Sequence, residues 1–300
     1  MLALRSILVI DALDEGAMKA AVRTVADAVL LDLAHPSMHG QRDEARRLAK
    51  RHTQAIAKAG RPVLARVSDA RSGEMGADVE AVVGPWLTGV VVSGVEEPQD
   101  LRDADVLVRK FEMRSKRVPG ETDLLPELDS AEGLVALPRI LAAVDRARAV
   151  VLSVDGLQRD LRLGSGAGAL YAHAMSEVAI HADAARLPWV VHVQHHQPGA
   201  ERFPALAHDF GAVGVTVHRE GEAQGMNSLF APGASEVAIA RAMVAEWDRV
   251  RKRGGVLGVV AGEALEAPGY DRLVDRRTVR RARVLLELVE AIERRAASGE

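Results

Sequence analysis

Leu124-Leu125-Pro126-Glu127-Leu128-Asp129-Ser130-Ala131-Glu132-Gly133-Leu134 reads as a short buried strand that ends in acids and runs directly into a helix. Apolar residues without polar alternation indicate a strand covered on both faces. Similar runs recur at 7–10, 27–33, 62–67, 88–93, 149–154, 188–193 and 213–217. Between them lie segments with helical spacing, at 15–26, 41–59, 79–86, 98–111, 131–143, 169–185 and 205–210. Strands that alternate with helices form a parallel α/β sheet. With the opening stretch the strands number about eight, the count of a (β/α)8 TIM barrel.

Length and composition suit this reading. A chain of 300 residues accommodates one large barrel, with a doubly wound sheet as the alternative. Aromatics make up only 3%, so Val, Leu, Ile and Ala must fill the core, as barrels require. We expect the barrel to occupy residues 1–255. Residues 256–300 would be a C-terminal loop and helix that packs on the barrel or on a neighbouring subunit. That helix, at 276–295, carries an apolar stripe of Val279, Ala282, Leu285, Leu286, Val289 and Ile292. Before it, 235–253 reads as a helix with Ser235 as N-cap.

Several function classes are excluded or disfavoured. There is no cysteine, which removes disulfides, thiolate nucleophiles and cysteine-bound zinc. A net charge of -3 shows no pull toward nucleic acid or anionic lipid, so neither partner is expected. No apolar run approaches the roughly 20 residues of a membrane span. The N-terminus has no signal-peptide pattern, and a cytoplasmic protein is the expectation.

The chemistry of a barrel gathers on the rim after the strands. There the sequence places Asp11, Asp32 with His35, Arg66, Ser93, Glu127 with Asp129, Asp155, His192 with His195 and His196, and His218. Two carboxylates near an arginine could hold Mg²⁺ and an anionic substrate, since hard cations take oxygen ligands and arginine offers a fork to a carboxylate. The plainer alternative is that an acid at a strand end caps the next helix. His195-His196 lack the spacing of a zinc site, and 164–168 lacks the Lys-Ser/Thr ending of a phosphate loop. Arg114, Lys116 and Arg117 read as a solvated face.

These residues resemble a known group, the HpcH/HpaI aldolase and citrate lyase beta-subunit superfamily. Arg5-Ser6-Ile7-Leu8-Val9 is similar to its opening Arg-Ser-x-Leu-Phe, and Ala28 to Leu33 to its Asp-Ala-Val-x-x-Asp-Leu strand. Arg66-Val67-Ser68 resembles its Arg-Val-Asn, and Gly89 to Glu96 its Gly-x-x-x-Pro-Lys-x-Glu. The opening stretch resembles Leu-Pro-x-x-Glu-Thr-Ala-x-Gly. Val154-Asp155-Gly156-Leu157 with Asp160-Leu161 resembles Glu-Asp-Leu-x-x-Asp-Leu, and Asn227 to Pro232 resembles Asn-x-x-Phe-x-Pro.

The resemblance implies a magnesium-dependent barrel, usually an oligomer. Such proteins cleave or form carbon–carbon bonds beside a carboxylate or an acyl-CoA thioester. An arginine holds the carbonyl-acid end, and a glutamate and an aspartate hold the metal. The departures are several. The acidic pair after the second strand is Ala34-His35, the lysine after the fourth is Gly94, and the metal glutamate is Asp129. The metal aspartate position holds Gly156, beside Asp155. The aspartate after the seventh strand is His192, and an Ile-His-Pro is Val217-His218-Arg219.

Two expectations follow. In the first, Asp129 and Asp155 bind Mg²⁺, and Arg66, with Asp32 and His35, binds a small keto acid or acyl-CoA. Arg66 and a rim histidine, His192 or His218, then carry the catalysis, in a homo-oligomer. In the second, the barrel has kept the fold, lost the reaction and become a binding or assembly protein.

Overall fold

Eight parallel strands close into a barrel in the order β1 to β8, with β8 paired back to β1. The computed structural model describes residues 2–164, 167–193, 200–260 and 273–297. His195 and His196 lie outside them. The strands are β1 (Ser6–Asp11), β2 (Ala28–Asp32), β3 (Val63–Val67), β4 (Gly89–Val92), β5 (Asp123–Leu128), β6 (Val150–Ser153), β7 (Trp189–His192) and β8 (Gly214–Val217). Between them run α1 (Glu15–Ala20), α2 (Arg42–Lys58), α3 (Met75–Val82), α4 (Pro98–Arg114), α5 (Ala131–Leu141), α6 (Val154–Asp160), α7 (Gly168–Ala185) and α8 (Phe203–Asp209), and α9 (Glu220–Leu229) follows β8. This is the expected (β/α)8 barrel, and the chain ends in a helical extension.

Strand pleating decides which side chains face the site. Val63, Ala65 and Val67 of β3 join the core between sheet and helices. Alternate residues point to opposite faces, so Leu64 and Arg66 turn into the barrel. Asp32 pairs in register with Arg66, and Ser153 with His192. The polar residues of one parity therefore come together at the C-terminal mouth. Burying each Val or Leu of the outer layer contributes about 1.5–3 kcal/mol, and the large apolar layer holds the polar interior in place.

Three local readings are corrected. The helix expected at 79–86 lies at Met75–Val82, because Gly84-Pro85 ends it early. The strand expected to reach Val154 stops at Ser153, whose hydroxyl accepts from the Gly156 amide and caps α6. Ser235 is not an N-cap but lies inside a helix, α10 (Ala234–Lys252), which starts after Gly233.

The chain divides into two compact units, Leu4–Phe230 and Met1–Ala3 with Ala231–Glu300. In the second, α10 packs on α11 (Arg276–Ala297) beside a two-stranded ribbon, β9 (Gly258–Val259) and β10 (Leu273–Val274). Its core is Ala240, Met243, Val260, Val274, Val279 and Ala282. The division falls before α10 and not after Gly255, because the apolar face of α10 is matched to that of α11.

Candidate active site

A chain of charges crosses the barrel mouth. Arg66 Nη1 donates to Asp32 Oδ1 at 3.2 Å, and Arg66 Nε donates to Glu127 Oε2 at 2.6 Å. The other oxygen of Glu127 meets His192 Nδ1 at 2.5 Å. Glu127 is 0% exposed, His192 1% and Arg66 7%. Burial of such groups costs heavily unless each is paired, and here the pairing is reciprocal. Burial opposes the charge on Glu127, but Arg66 and His192 beside it bring its carboxyl down to about 2. Burial likewise works against the Arg66 charge, yet Glu127 and Asp32 hold its guanidinium above the usual arginine value. Arg66 Nη2 makes no hydrogen bond among the described residues. It is the donor of this guanidinium that the cluster leaves unused.

Glu127 is the residue that sequence reasoning placed on the rim but gave no role. Its parity, two residues before Asp129 on the same strand face, was the available signal.

The other expected residues are distributed as follows. Asp32 joins the cluster, but as the ion-pair partner of Arg66 and as acceptor for the Ala34 amide at 2.9 Å. His35 does not join it. Its Nδ1 faces Ser37 Oγ at 2.8 Å, and that hydroxyl donates to Asp11 Oδ2. The Ala34-His35 turn sets the ring beside Ser37, which links it to Asp11 at the end of β1. His218 stacks near His192, with ring centroids 6.3 Å apart. Its Nε2 lies 2.9 Å from the Val193 carbonyl and donates to it, and its backbone amide donates to Glu222.

Asp129 differs from every carboxylate named so far. It accepts no hydrogen bond and pairs with no cation among the described residues. Burial, followed by repulsion from Glu127, raises its carboxyl to about 6. Asp155 is buried in the first turn of α6. The start of α6 presses against Asp129: a Cβ on Gly156 would come within 2.2 Å of Asp129 Cβ. No side chain fits at 156, so a carboxylate cannot project from that position. Gly94 has φ +60, a left-handed turn that disfavours a lysine there.

Among the described residues no group of three or more His, Asp or Glu side chains is arranged to hold a metal. Magnesium needs fewer, since it keeps several waters and takes one or two carboxylates. The carboxylate of Asp129, half-buried and in no ion pair among the described residues, fits such an ion.

The comparisons place the fold and the family. Citrate lyase subunit beta of Leuconostoc mesenteroides subsp. cremoris is 23% identical over 270 residues, 89% of this chain and 86% of that one. A (3S)-malyl-CoA thioesterase of Cereibacter sphaeroides is 24% identical over 275 residues, 87% of this chain and 89% of that one. Among solved structures, protein CitE from Mycobacterium tuberculosis in complex with magnesium, acetoacetate and coenzyme A superposes with a TM-score of 0.63 at 20% identity. It covers 96% of this chain and 100% of its own. The model of HpcH/HpaI aldolase/citrate lyase matches residues 5–220, and the chain belongs to that family.

Proposed function

We propose that this protein is a carbon–carbon lyase acting on a small keto acid or an acyl-CoA thioester. The observation that carries the reading is Arg66, buried at the barrel mouth and held by two carboxylates, with Nη2 unspent. A guanidinium fixed in this way gives a planar, permanent cation for the carboxylate or carbonyl end of a substrate. Asp32 and Glu127 orient it, so little freedom is lost on binding. Mg²⁺ is the cofactor in this reading, held by Asp129 with Asp155 as the second carboxylate. When bound, it supplies Lewis-acid stabilisation of negative charge at a substrate oxygen.

The protein acts as a homo-oligomer in this proposal. Val256, Leu257 and Val259 are 71%, 57% and 57% exposed on the C-terminal unit, an apolar surface that suits a second copy. Light scattering at micromolar concentration is expected to give a multiple of 32.1 kDa, and a monomer mass refutes the assembly.

A specific observation favours the second reading, a binding barrel without catalysis. Gly156 has no room for the carboxylate that the family pattern puts there. Calorimetric titration with MgCl₂, then with pyruvate and oxaloacetate in its presence, separates the two. Saturable binding of metal and keto acid, followed by turnover, supports the lyase. Binding without turnover of oxaloacetate, pyruvate or acyl-CoA thioesters supports the binding protein, and absence of both ligands sinks the site altogether.

A further inference from the structure

Glu127 holds, on its two oxygens, the two groups that a proton transfer next to a carbonyl requires. Oε2 takes the N–H of Arg66 at 2.6 Å, and Oε1 takes His192 Nδ1 at 2.5 Å. A carboxylate only accepts, so the proton of the second contact belongs to Nδ1. In the ring's neutral form the lone pair is then on Nε2. That nitrogen has no hydrogen-bond partner among the described residues. The neighbouring His218 is placed differently, because its Nε2 is used on the Val193 carbonyl. His192 has its tautomer fixed by an acid.

We propose that His192 is the proton carrier of this site and that Glu127 is the positioning residue that sets its tautomer and its place relative to Arg66. The inference rests on the keto-acid reading above and narrows it. Acid-binding group and base are one carboxylate apart, which suits a short 2-keto acid with hydrogen on the carbon beside its carbonyl. Nε2 takes that proton. The C–H electron pair becomes a C=C bond, and the carbonyl π pair moves onto oxygen at the end that Arg66 holds. Nothing is oxidised, and return of a proton from Nε2 regenerates the keto acid. The half-reaction is therefore visible as exchange with solvent.

Pyruvate in D₂O with MgCl₂, followed by loss of its methyl proton signal, tests the step. Wild-type protein is expected to exchange the methyl protons. His192→Asn is expected to slow exchange by about 100-fold or more, the usual contribution of a general base, with pyruvate affinity within about threefold. His192→Gln serves if the first variant does not fold. A second readout needs neither pyruvate nor metal. ¹⁵N-histidine spectra, with His192 assigned among the ten histidines by difference against a position-192 variant, report its tautomer. Wild type is expected to carry the proton on Nδ1. In Glu127→Gln the amide oxygen must serve Arg66, which only donates, so the amide nitrogen faces His192 and drives the proton to Nε2. A merely structural glutamate would not invert the tautomer. Protonation of wild-type His192 at Nε2 overturns the proposal, as does wild-type exchange by a variant that binds pyruvate. Wild-type binding without exchange overturns it too and leaves the keto-acid site standing. Absence of saturable pyruvate binding removes the keto-acid reading and this inference with it.

Discussion

Two buried arginines, Arg66 and Arg146, use the same chemistry toward different ends. Arg146 is 2% exposed and lies before β6, at the end of the barrel opposite the mouth. Its Nη2 donates to Glu112 at 3.0 Å, its Nη1 to the Thr122 carbonyl at 3.3 Å, and its Nε lies 2.8 Å from Asp105. Glu112 in turn accepts the Gly120 and Thr122 amides. The cluster ties α4 to the loops leading into β5 and β6; both terminal nitrogens of its arginine donate hydrogen bonds, and its Nε is ion-paired with Asp105 without a hydrogen bond. Arg66 is paired just as firmly on one side but keeps Nη2 unspent. The two differ in where the unspent nitrogen lies, at the barrel mouth for Arg66 Nη2 and inside an ion pair for Arg146 Nε, and burial alone does not reveal it.

The largest effects should come from breaking each cluster. Removing one partner of a buried pair typically costs about 3–5 kcal/mol, because the other charge is left unpaired. Arg146→Ala and Arg66→Ala are both expected to lose stability on that scale in denaturant melts. They should part in calorimetry: Arg66→Ala loses keto-acid binding and keeps magnesium binding, whereas folded Arg146→Ala keeps both. If Arg66→Ala binds pyruvate normally, the distinction between the two arginines collapses.

Gly156 offers the next test. Gly156→Asp restores the family's carboxylate in name, but its Cβ would meet Asp129 Cβ at 2.2 Å. Overpacking should cost about 1–3 kcal/mol, and magnesium affinity by calorimetry should not improve. A tighter magnesium site in this variant would show that α6 can move away from β5.

Acid sharpens the comparison from another side. The folded-state carboxyl of Glu127, about 2, lies below the ordinary 4.5 because Arg66 and His192 outweigh its burial. The unfolded chain then binds more protons in that window, so the contribution is complete above about 4.5 and is lost as pH falls toward 2. The stability gap between wild type and Glu127→Gln, about 1–3 kcal/mol at pH 7, should shrink steadily when urea melts are repeated down to pH 3. The carboxyl of Glu112 is lowered as well: burial opposes this, and the Gly120 and Thr122 amides and Arg146 prevail. Glu112→Gln should therefore show the same sign.

The smallest effect has the opposite sign. Burial and Glu127 raise Asp129 to about 6, above its ordinary 3.8. The folded chain then binds more protons between 3.8 and 6, and stability falls as pH rises through that range. Asp129→Asn is expected to melt about 2–4 °C higher than wild type at pH 7, the response to roughly 1 kcal/mol, and to match it near pH 3.5. Added MgCl₂ should raise the wild-type melting temperature and leave that of the variant unchanged. A stabilised variant beside a wild type with no magnesium response would dissociate the strain at Asp129 from metal binding.

Much of the architecture was legible in the residues. Apolar runs such as 28–33 and 62–67 announce buried parallel strands by themselves, because a strand covered on both faces cannot alternate with polar residues. The family pieces, from Arg5 to Pro232, identify the barrel by their order. Short helices were less legible. α6 and α9 are mostly polar or glycine-containing, and their helicity comes from where the barrel turns the chain, as with the Ser153 cap.

The site divides along the same line. Local sequence determined that Asp32, Arg66, Glu127, Asp129 and His192 end their strands, and pleating made Glu127 and Asp129 share a face. Which of them meet was decided only by barrel closure, which brings side chains from β2, β3, β5 and β7 across the mouth. Glu127 and His192 are 65 residues apart, and no local pattern links them. The fate of Asp129 was also tertiary: it has no hydrogen-bond or ion-pair partner among the described residues, burial and Glu127 raise its carboxyl, and α6 packs against it at Gly156. Periodicity along the chain reports burial, which is a local average. Pairing of charges depends on single contacts between distant strands, and only the folded barrel sets those.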